Sequence, residues 1–355
     1  MTKSPPSQYR IALIPGDGIG TEVVPPAVAM LEKVASRGGF SFVWDEYGWG
    51  CDRYRDTGAL MPSDGLDRLA DADAILLGAV GAPDVPDHVS LWGLLIPIRR
   101  TFNQRINLRP IRRLPGIAGP LRSEEPIDFL VVRENVEGEY SEIGGRLYRG
   151  TDDEMAVQES VFTRRGVASV MAFAFELAEA RSGRLVAATK SNGIIHTMPF
   201  WDEVFEELAE LHPGVTTRRV HVDALAAELV LRPETHDVIV ATNLFGDILT
   251  DLGGAVAGSI GAAPSANIDP TGTHPSMFEP IHGSAPDIAG RGIANPIATC
   301  WSAAMMLSHL GRDAAAADIM AAIETVTGRG DPLTPDLDGA ATTADVAAAL
   351  LDALP

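Results

Sequence analysis

Two aspartates four residues apart are the first chemistry this sequence offers. Asp247 and Asp251 lie in NLFGDILTDL at 243–252, where apolar residues recur at helical spacing. At about 100° per residue, Asp251 falls inside the stripe of Leu244, Ile248 and Ala255, with Asp247 at its edge. That predicts a helix capped by Asn243 and reaching about Ala257. Carboxylates on an apolar face need partners, and two on one side repel unless a metal ion or an arginine stands between them. Oxygen-only ligation selects Mg²⁺ or Mn²⁺ over zinc. Ordinary acidic residues at a solvated helix end are the plain alternative.

Lys190 follows an apolar run and precedes Ser191-Asn192-Gly193. A lysine at the carboxyl end of a sheet strand lies where open α/β sheets bind ligands, and desolvation would make it a proton acceptor. A strand-end lysine reaching water explains it equally. Tyr140 closes RENVEGEY at 133–140, and eight arginines fall between Arg99 and Arg133. Their planar forks suit a carboxylate or phosphate. Glycines 16, 18 and 20 follow a strand as G-x-G-x-G. The dinucleotide fingerprint needs G-x-G-x-x-G, so a tight strand-to-helix turn is the simpler reading.

Those groups need a scaffold, and 355 residues suggest two domains. The net charge of −20, from 48 acidic against 28 basic residues, argues against binding nucleic acid or anionic lipid. Two distant cysteines, Cys51 and Cys300, fit a reduced compartment. No apolar leader and no apolar run of membrane-spanning length are present, so a cytoplasmic enzyme is expected. Strands are expected at 10–14, 40–47, 74–78, 127–132, 154–162, 185–189, 215–222 and 238–241. Helices are expected at 21–36, 164–180, 200–211 and 224–231, with one at 90–104 kinked or delayed by Pro97. Residues 258–296 read as mostly loop, followed by two or three Ala-rich helices. The alternation predicts an α/β architecture with a parallel or mixed sheet.

Six segments together resemble the β-decarboxylating 2-hydroxy-acid dehydrogenases, the isopropylmalate/isocitrate dehydrogenase family. They are IPGDGIG (14–20), NLRP (107–110), VVRENVEGEY (131–140), TKSNG (189–193), NLFGDILTDL (243–252) and FEPIHGSAPDIAG (278–290). The resemblance implies a two-domain fold with a large mixed sheet flanked by helices, not a Rossmann fold. Residues 1–104 with 258–355 would form a large cofactor-binding domain, and 105–257 a smaller one carrying the dimer interface. It further implies that Arg99, Arg109 and Arg133 clamp the departing carboxylate. Asp247 and Asp251 of one subunit, with Asp223 of its neighbour, would hold Mg²⁺ or Mn²⁺. Tyr140 would be the acid and the neighbour's Lys190 the base. NAD would lie along His282, Gly283, Ser284, Ala285, Asp287 and Ile288, with Asn295 near the adenine. A carboxylate at Asp287 would accept from a ribose 2′-hydroxyl and repel a 2′-phosphate, favouring NAD over NADP.

The residues before Arg99 usually contact the substituent that separates these substrates. Here Trp92 stands where isopropylmalate enzymes commonly carry an acid, and Leu95 and Ile96 offer apolar surface. PDHVSLWG, VEGEYS and QESVFTRRG look most like the tartrate/D-malate branch. D-malate or tartrate is therefore the expected substrate, with 3-isopropylmalate the alternative. A silent regulatory subunit, as found among isocitrate-type relatives, is disfavoured because Tyr140, Lys190 and all three aspartates are present.

Overall fold

The computed structural model describes residues 6–121 and 125–355. Its strands, in chain order, are β1 (Gln8–Gly16), β2 (Ser41–Glu46), β3 (Ala74–Ala79), β4 (Ile106–Arg112), β5 (Asp128–Glu134) and β6 (Gly144–Leu147). They continue with β7 (Met155–Gln158), β8 (Arg184–Thr189), β9 (Thr216–His221), β10 (Val238–Ala241), β11 (Pro264–Ile268) and β12 (Ser276–Pro280). Among the described residues no helix is long and apolar enough to cross a membrane. Two compact units result: Met1–Gln104, Arg112–Glu124 and Gly254–Pro355 form one, and Arg105–Ile111 with Glu125–Gly253 the other.

In the first unit the strand order is β2-β1-β3-β12-β11. β1, β2, β3 and β12 run parallel, and β11 is antiparallel to β12. The uninterrupted apolar run AILLGA forms β3, buried along its whole length, as expected of a parallel strand covered on both faces. Residues 258–296 are mostly loop, as expected, but they also carry β11 and β12, which the sequence pattern did not mark. PSANI and SMFEP lack an alternating pattern and carry prolines. Burial within the sheet outweighs that poor local propensity, and Pro264 and Pro280 face each other at the end of the ladder.

The glycine run after β1 is a strand-to-helix turn. Gly16 and Gly18 have φ of 72° and 54°, and a Cβ on Gly16 would lie 1.9 Å from the Ala79 carbonyl oxygen. Asp17, between them, accepts the Cys51 and Gly81 amides at 2.8 and 2.9 Å. The Pro97 segment stays helical from Asp87 to Thr101 but passes through a π turn at Leu91–Leu95. The Ile96 amide donates to the Leu91 carbonyl five residues back, a wider register that eases the proline ring past the preceding turn.

The second unit has strand order β4-β5-β10-β8-β9, with β5, β10, β8 and β9 parallel. Its helix Arg164–Ala180 begins at Thr163, whose hydroxyl accepts the Gly166 amide. β6 and β7 make a separate exposed hairpin. The strand expected at 154–162 shrinks to β7 and a single bridge from Val161 to Gly138.

The Asn243–Ala257 helix departs from expectation twice. Thr242 is its cap: its hydroxyl accepts the Phe245 amide at 3.3 Å, and Asn243 is the first helical residue. The face that packs inward carries Phe245, Leu249, Thr250, Gly253 and Val256, whereas Ile248, Asp251 and Ala255 are exposed. The helix is apolar on two sides, and periodicity alone does not say which one its own unit covers.

Candidate active site

β5 and β10 are adjacent parallel strands with Arg133 paired to Ala241. The chain leaving β10 therefore starts the Asn243 helix beside Arg133, at the carboxyl end of the sheet where α/β proteins build their sites. The Arg133 Nη1 and the Arg109 Nη1 (3.2 Å) both donate to Asp247 Oδ1, and the Tyr140 hydroxyl donates to Asp247 Oδ2 at 3.0 Å. Arg109 is fixed further by Asn107 Oδ1 (2.7 Å, from Nε) and the Thr250 hydroxyl (2.6 Å, from Nη1). Arg133 gives both Nε and Nη2 to Asn243 Oδ1. Gly246 makes this approach possible, since a Cβ there would lie 2.6 Å from Arg133 Cγ. Of the two partners open to the Asp pair, arginine is the one seen at Asp247.

The acids around Tyr140 are positioned by what they cap. Glu139 accepts the Thr242 hydroxyl at 2.7 Å and the Leu244 amide at 3.1 Å, satisfying the start of the Asn243 helix. Glu137 accepts the Thr163 amide and hydroxyl and pairs with Arg105. Partial burial raises the Tyr140 pKa, and the neighbouring Asp247 charge adds to it. Asp251 is likewise raised by loss of solvent and then by Asp247. Two carboxylates that disfavour each other's ionisation, offering only oxygen, suit a hard divalent cation.

Lys190 lies apart from that network, ion-paired to Asp223 at 2.8 Å. Its hydrogen bond holds the Asp223 carboxyl below the usual range. Among the described residues no three His, Cys, Asp or Glu side chains of one chain gather to hold a metal.

The remaining candidates belong to the first unit. Buried Arg99 donates from Nη2 to Glu279 Oε1 at 2.8 Å, an oxygen that also receives Asn267 Nδ2 at 2.7 Å. Trp92 and Leu95 are partly exposed, with the Arg100 guanidinium 4.9 Å from the Trp92 ring centroid. Ile96 is buried, so it offers no surface, contrary to expectation. In the His282–Ile288 loop, the Ser284 carbonyl accepts the Ile19 amide at 2.9 Å, and a Cβ on Gly18 would approach it to 2.1 Å. Gly283 and Asp287 are exposed, and Ile288 packs on Ile19 and Val23. Ala285 has φ of 40°. His282 binds the Gly283 carbonyl through Nδ1, but its buried Nε2 has no partner. Burial lowers its pKa. An orphaned ring nitrogen on a glycine-flanked loop fits a flat, hydrogen-bonding cofactor. Asn295 donates to Asp336 Oδ2 at 2.9 Å and accepts the Ile297 amide at 3.0 Å.

Residues 10–350 match the isocitrate/isopropylmalate dehydrogenase family model. The chain belongs to that family. It is 55% identical to a Bacillus subtilis (strain 168) protein named probable tartrate dehydrogenase/decarboxylase, over 96% of each chain. It is 53% identical to the Escherichia coli (strain K12) D-malate dehydrogenase [decarboxylating], over 96% of this chain and 97% of the other. Isocitrate dehydrogenase from Methylococcus capsulatus superposes with a TM-score of 0.89 at 34% identity, covering 98% and 99% of the two chains. In this dehydrogenase family member, sequence reading missed Asn107, Glu139, Thr250 and Glu279. Thr250 and Asn243 sit three residues after and four before Asp247, so helical spacing from that aspartate was the available signal. Glu279 had no such signal, being 180 residues from Arg99.

Proposed function

We propose that the protein catalyses NAD- and divalent-metal-dependent oxidation and β-decarboxylation of a small 2-hydroxy dicarboxylic acid, D-malate or tartrate. One observation carries this reading: Asp247 ties two arginines and Tyr140 into a single polar cluster at the end of the sheet. Arg109 and Arg133 grip the carboxylate that departs, with Arg99 as the family's third guanidinium. The grip aligns the breaking bond with the new carbonyl. Lys190 of a second copy takes the hydroxyl proton, and Tyr140 gives a proton to the carbon that loses CO₂. Asp247 and Asp251, joined by Asp223 of a second copy, would hold Mg²⁺ or Mn²⁺. Such an ion supplies carbonyl polarisation and an electron sink. His282, Gly283, Ser284, Ala285, Asp287, Ile288 and Asn295 would hold NAD, the hydride acceptor.

A shared site requires a homodimer, and two features support one. Lys190 and Asp223 pair with each other and not with Asp247. Apolar side chains also stand unpartnered on three elements: Leu231 (79% exposed), Ile248 (54%), and Leu147 (53%) on the hairpin. A cytoplasmic location suits the two free, buried cysteines.

The curated names of the relatives and Trp92 favour D-malate or tartrate over 3-isopropylmalate. Rates of NAD reduction on all three acids, with Mn²⁺ or Mg²⁺, test this. We expect kcat/KM to be highest on D-malate or tartrate; a higher value on 3-isopropylmalate reverses the assignment, and no turnover on any of them restores the silent-subunit reading.

A further inference from the structure

Arg133 donates through three nitrogens, and two of them end on one oxygen, Asn243 Oδ1: Nη2 at 2.7 Å and Nε at 3.2 Å. An amide can present its oxygen to a guanidinium or its NH₂, and the second choice sets donors against donors. Something must fix the choice. Asn243 Nδ2 faces Glu134 Oε2 at 3.5 Å and the Glu137 carbonyl at 3.3 Å. Glu134 Oε1 accepts the Val136 and Glu137 amides, each at 2.9 Å. Glu134 is fully buried. Three donors therefore converge on its two oxygens, a demand that a carboxylate meets and a glutamine amide does not.

We propose that Glu134 and Asn243 are positioning residues: Glu134 sets the orientation of the Asn243 amide, and Asn243 thereby holds the Arg133 guanidinium at the angle that receives the substrate carboxylate. The inference rests on the reading of Arg133 as a substrate-binding group. It adds a pH dependence. Burial lifts the Glu134 carboxyl to about 7, with Glu137 pushing the same way and Arg105 and the two amides opposing. A proton on Oε2 would leave Asn243 Nδ2 only the Glu137 carbonyl as an acceptor and remove the charge that holds the amide. The grip on substrate is then firm above about pH 7 and loosens below it.

Polarity reversal tests the relay. In Glu134→Gln the amide nitrogen faces Asn243 Nδ2, donor against donor. In Asn243→Asp the new carboxylate faces Glu134. In the double variant the introduced glutamine still accepts the two backbone amides and donates to the introduced aspartate, which still accepts Arg133; the contact from position 243 to the Glu137 carbonyl is lost, so recovery is partial. Steady-state kinetics use whichever of D-malate, tartrate or 3-isopropylmalate the wild type oxidises fastest. We expect each single variant to raise KM for the acid about tenfold or more, a loss of one hydrogen bond to a charged group, with KM for NAD unchanged. The double variant should recover at least half of that loss, and the decline in kcat/KM below pH 7 should flatten in Glu134→Gln. A second readout needs no turnover: the Arg133 Nε proton, followed by nitrogen-edited NMR, should exchange slowly in the wild type, fast in each single variant and slowly again in the double. Singles that match the wild type in that exchange, or a double no better than the worse single, overturn the relay. A wild type inert on all three acids counts against the substrate reading, while the exchange measurement still decides the relay.

Discussion

Tyr140 and Asp247 lie 107 residues apart in sequence, yet the phenol hydroxyl donates to the carboxylate at 3.0 Å. The other oxygen of Asp247 carries Arg109 and Arg133. Removing its charge therefore disturbs three groups at once. We expect Asp247→Asn to lower kcat/KM by at least about a hundredfold, the scale of a preorganised charge in an active site. Mn²⁺ affinity, measured by titration calorimetry, should weaken in parallel. Activity within threefold of the wild type would remove Asp247 from the site.

The fold class was legible because alternation and motif order survive in one dimension, and the same motifs named Arg109, Arg133, Tyr140 and Asp247, which the structure brings together. The run at 74–78 predicted β3, and the pattern at 164–180 predicted its helix with the bounds observed. What failed was decided by tertiary partners. β11 and β12 exist because neighbouring strands pair with them. The exposed side of the Asn243 helix follows from which face its own unit buries. Cap assignment moved by one residue because Asn243 serves Arg133 and leaves the amides to Thr242 and Glu139. Within one chain, Asp223 answers to Lys190.

Asp287 is exposed on the loop that follows β12, and its proposed role is to accept from the adenosine ribose. Asp287→Asn removes both the charge-assisted hydrogen bond and the repulsion of a 2′-phosphate. We expect the ratio of kcat/KM for NAD over NADP to fall about tenfold or more. Paired coenzyme titrations at fixed substrate measure it, and an unchanged ratio would move the discrimination elsewhere.

Asp269 ties the 269–274 turn together. Burial pushes its carboxyl up, but the amides of Thr271, Thr273 and His274, the Thr271 hydroxyl and Asn103 Nδ2 outweigh that and hold it at about 2. A depressed folded pKa stabilises at pH above the unfolded value of about 3.9, and the gain is lost as pH falls through about 2. We expect Asp269→Asn to cost about 2 kcal/mol at pH 7. The gap from wild type should narrow steadily below pH 4. Urea unfolding at pH 7 and pH 3 measures both; a gap equally wide at the two would assign the loss to packing.

The shared-site proposal makes a prediction that a self-contained site cannot match. Lys190→Ala and Tyr140→Phe homodimers should each be nearly inactive, because every site in them lacks its base or its acid. Mixed and allowed to exchange subunits, they form heterodimers. One site then takes Tyr140 from the first chain and Lys190 from the second, and is intact. The other lacks both. Equal mixing makes half the dimers mixed, each with one working site, so activity should return to about a quarter of the wild type. If both groups served the same chain's substrate, every site in every heterodimer would lack one of them, and mixing would restore nothing.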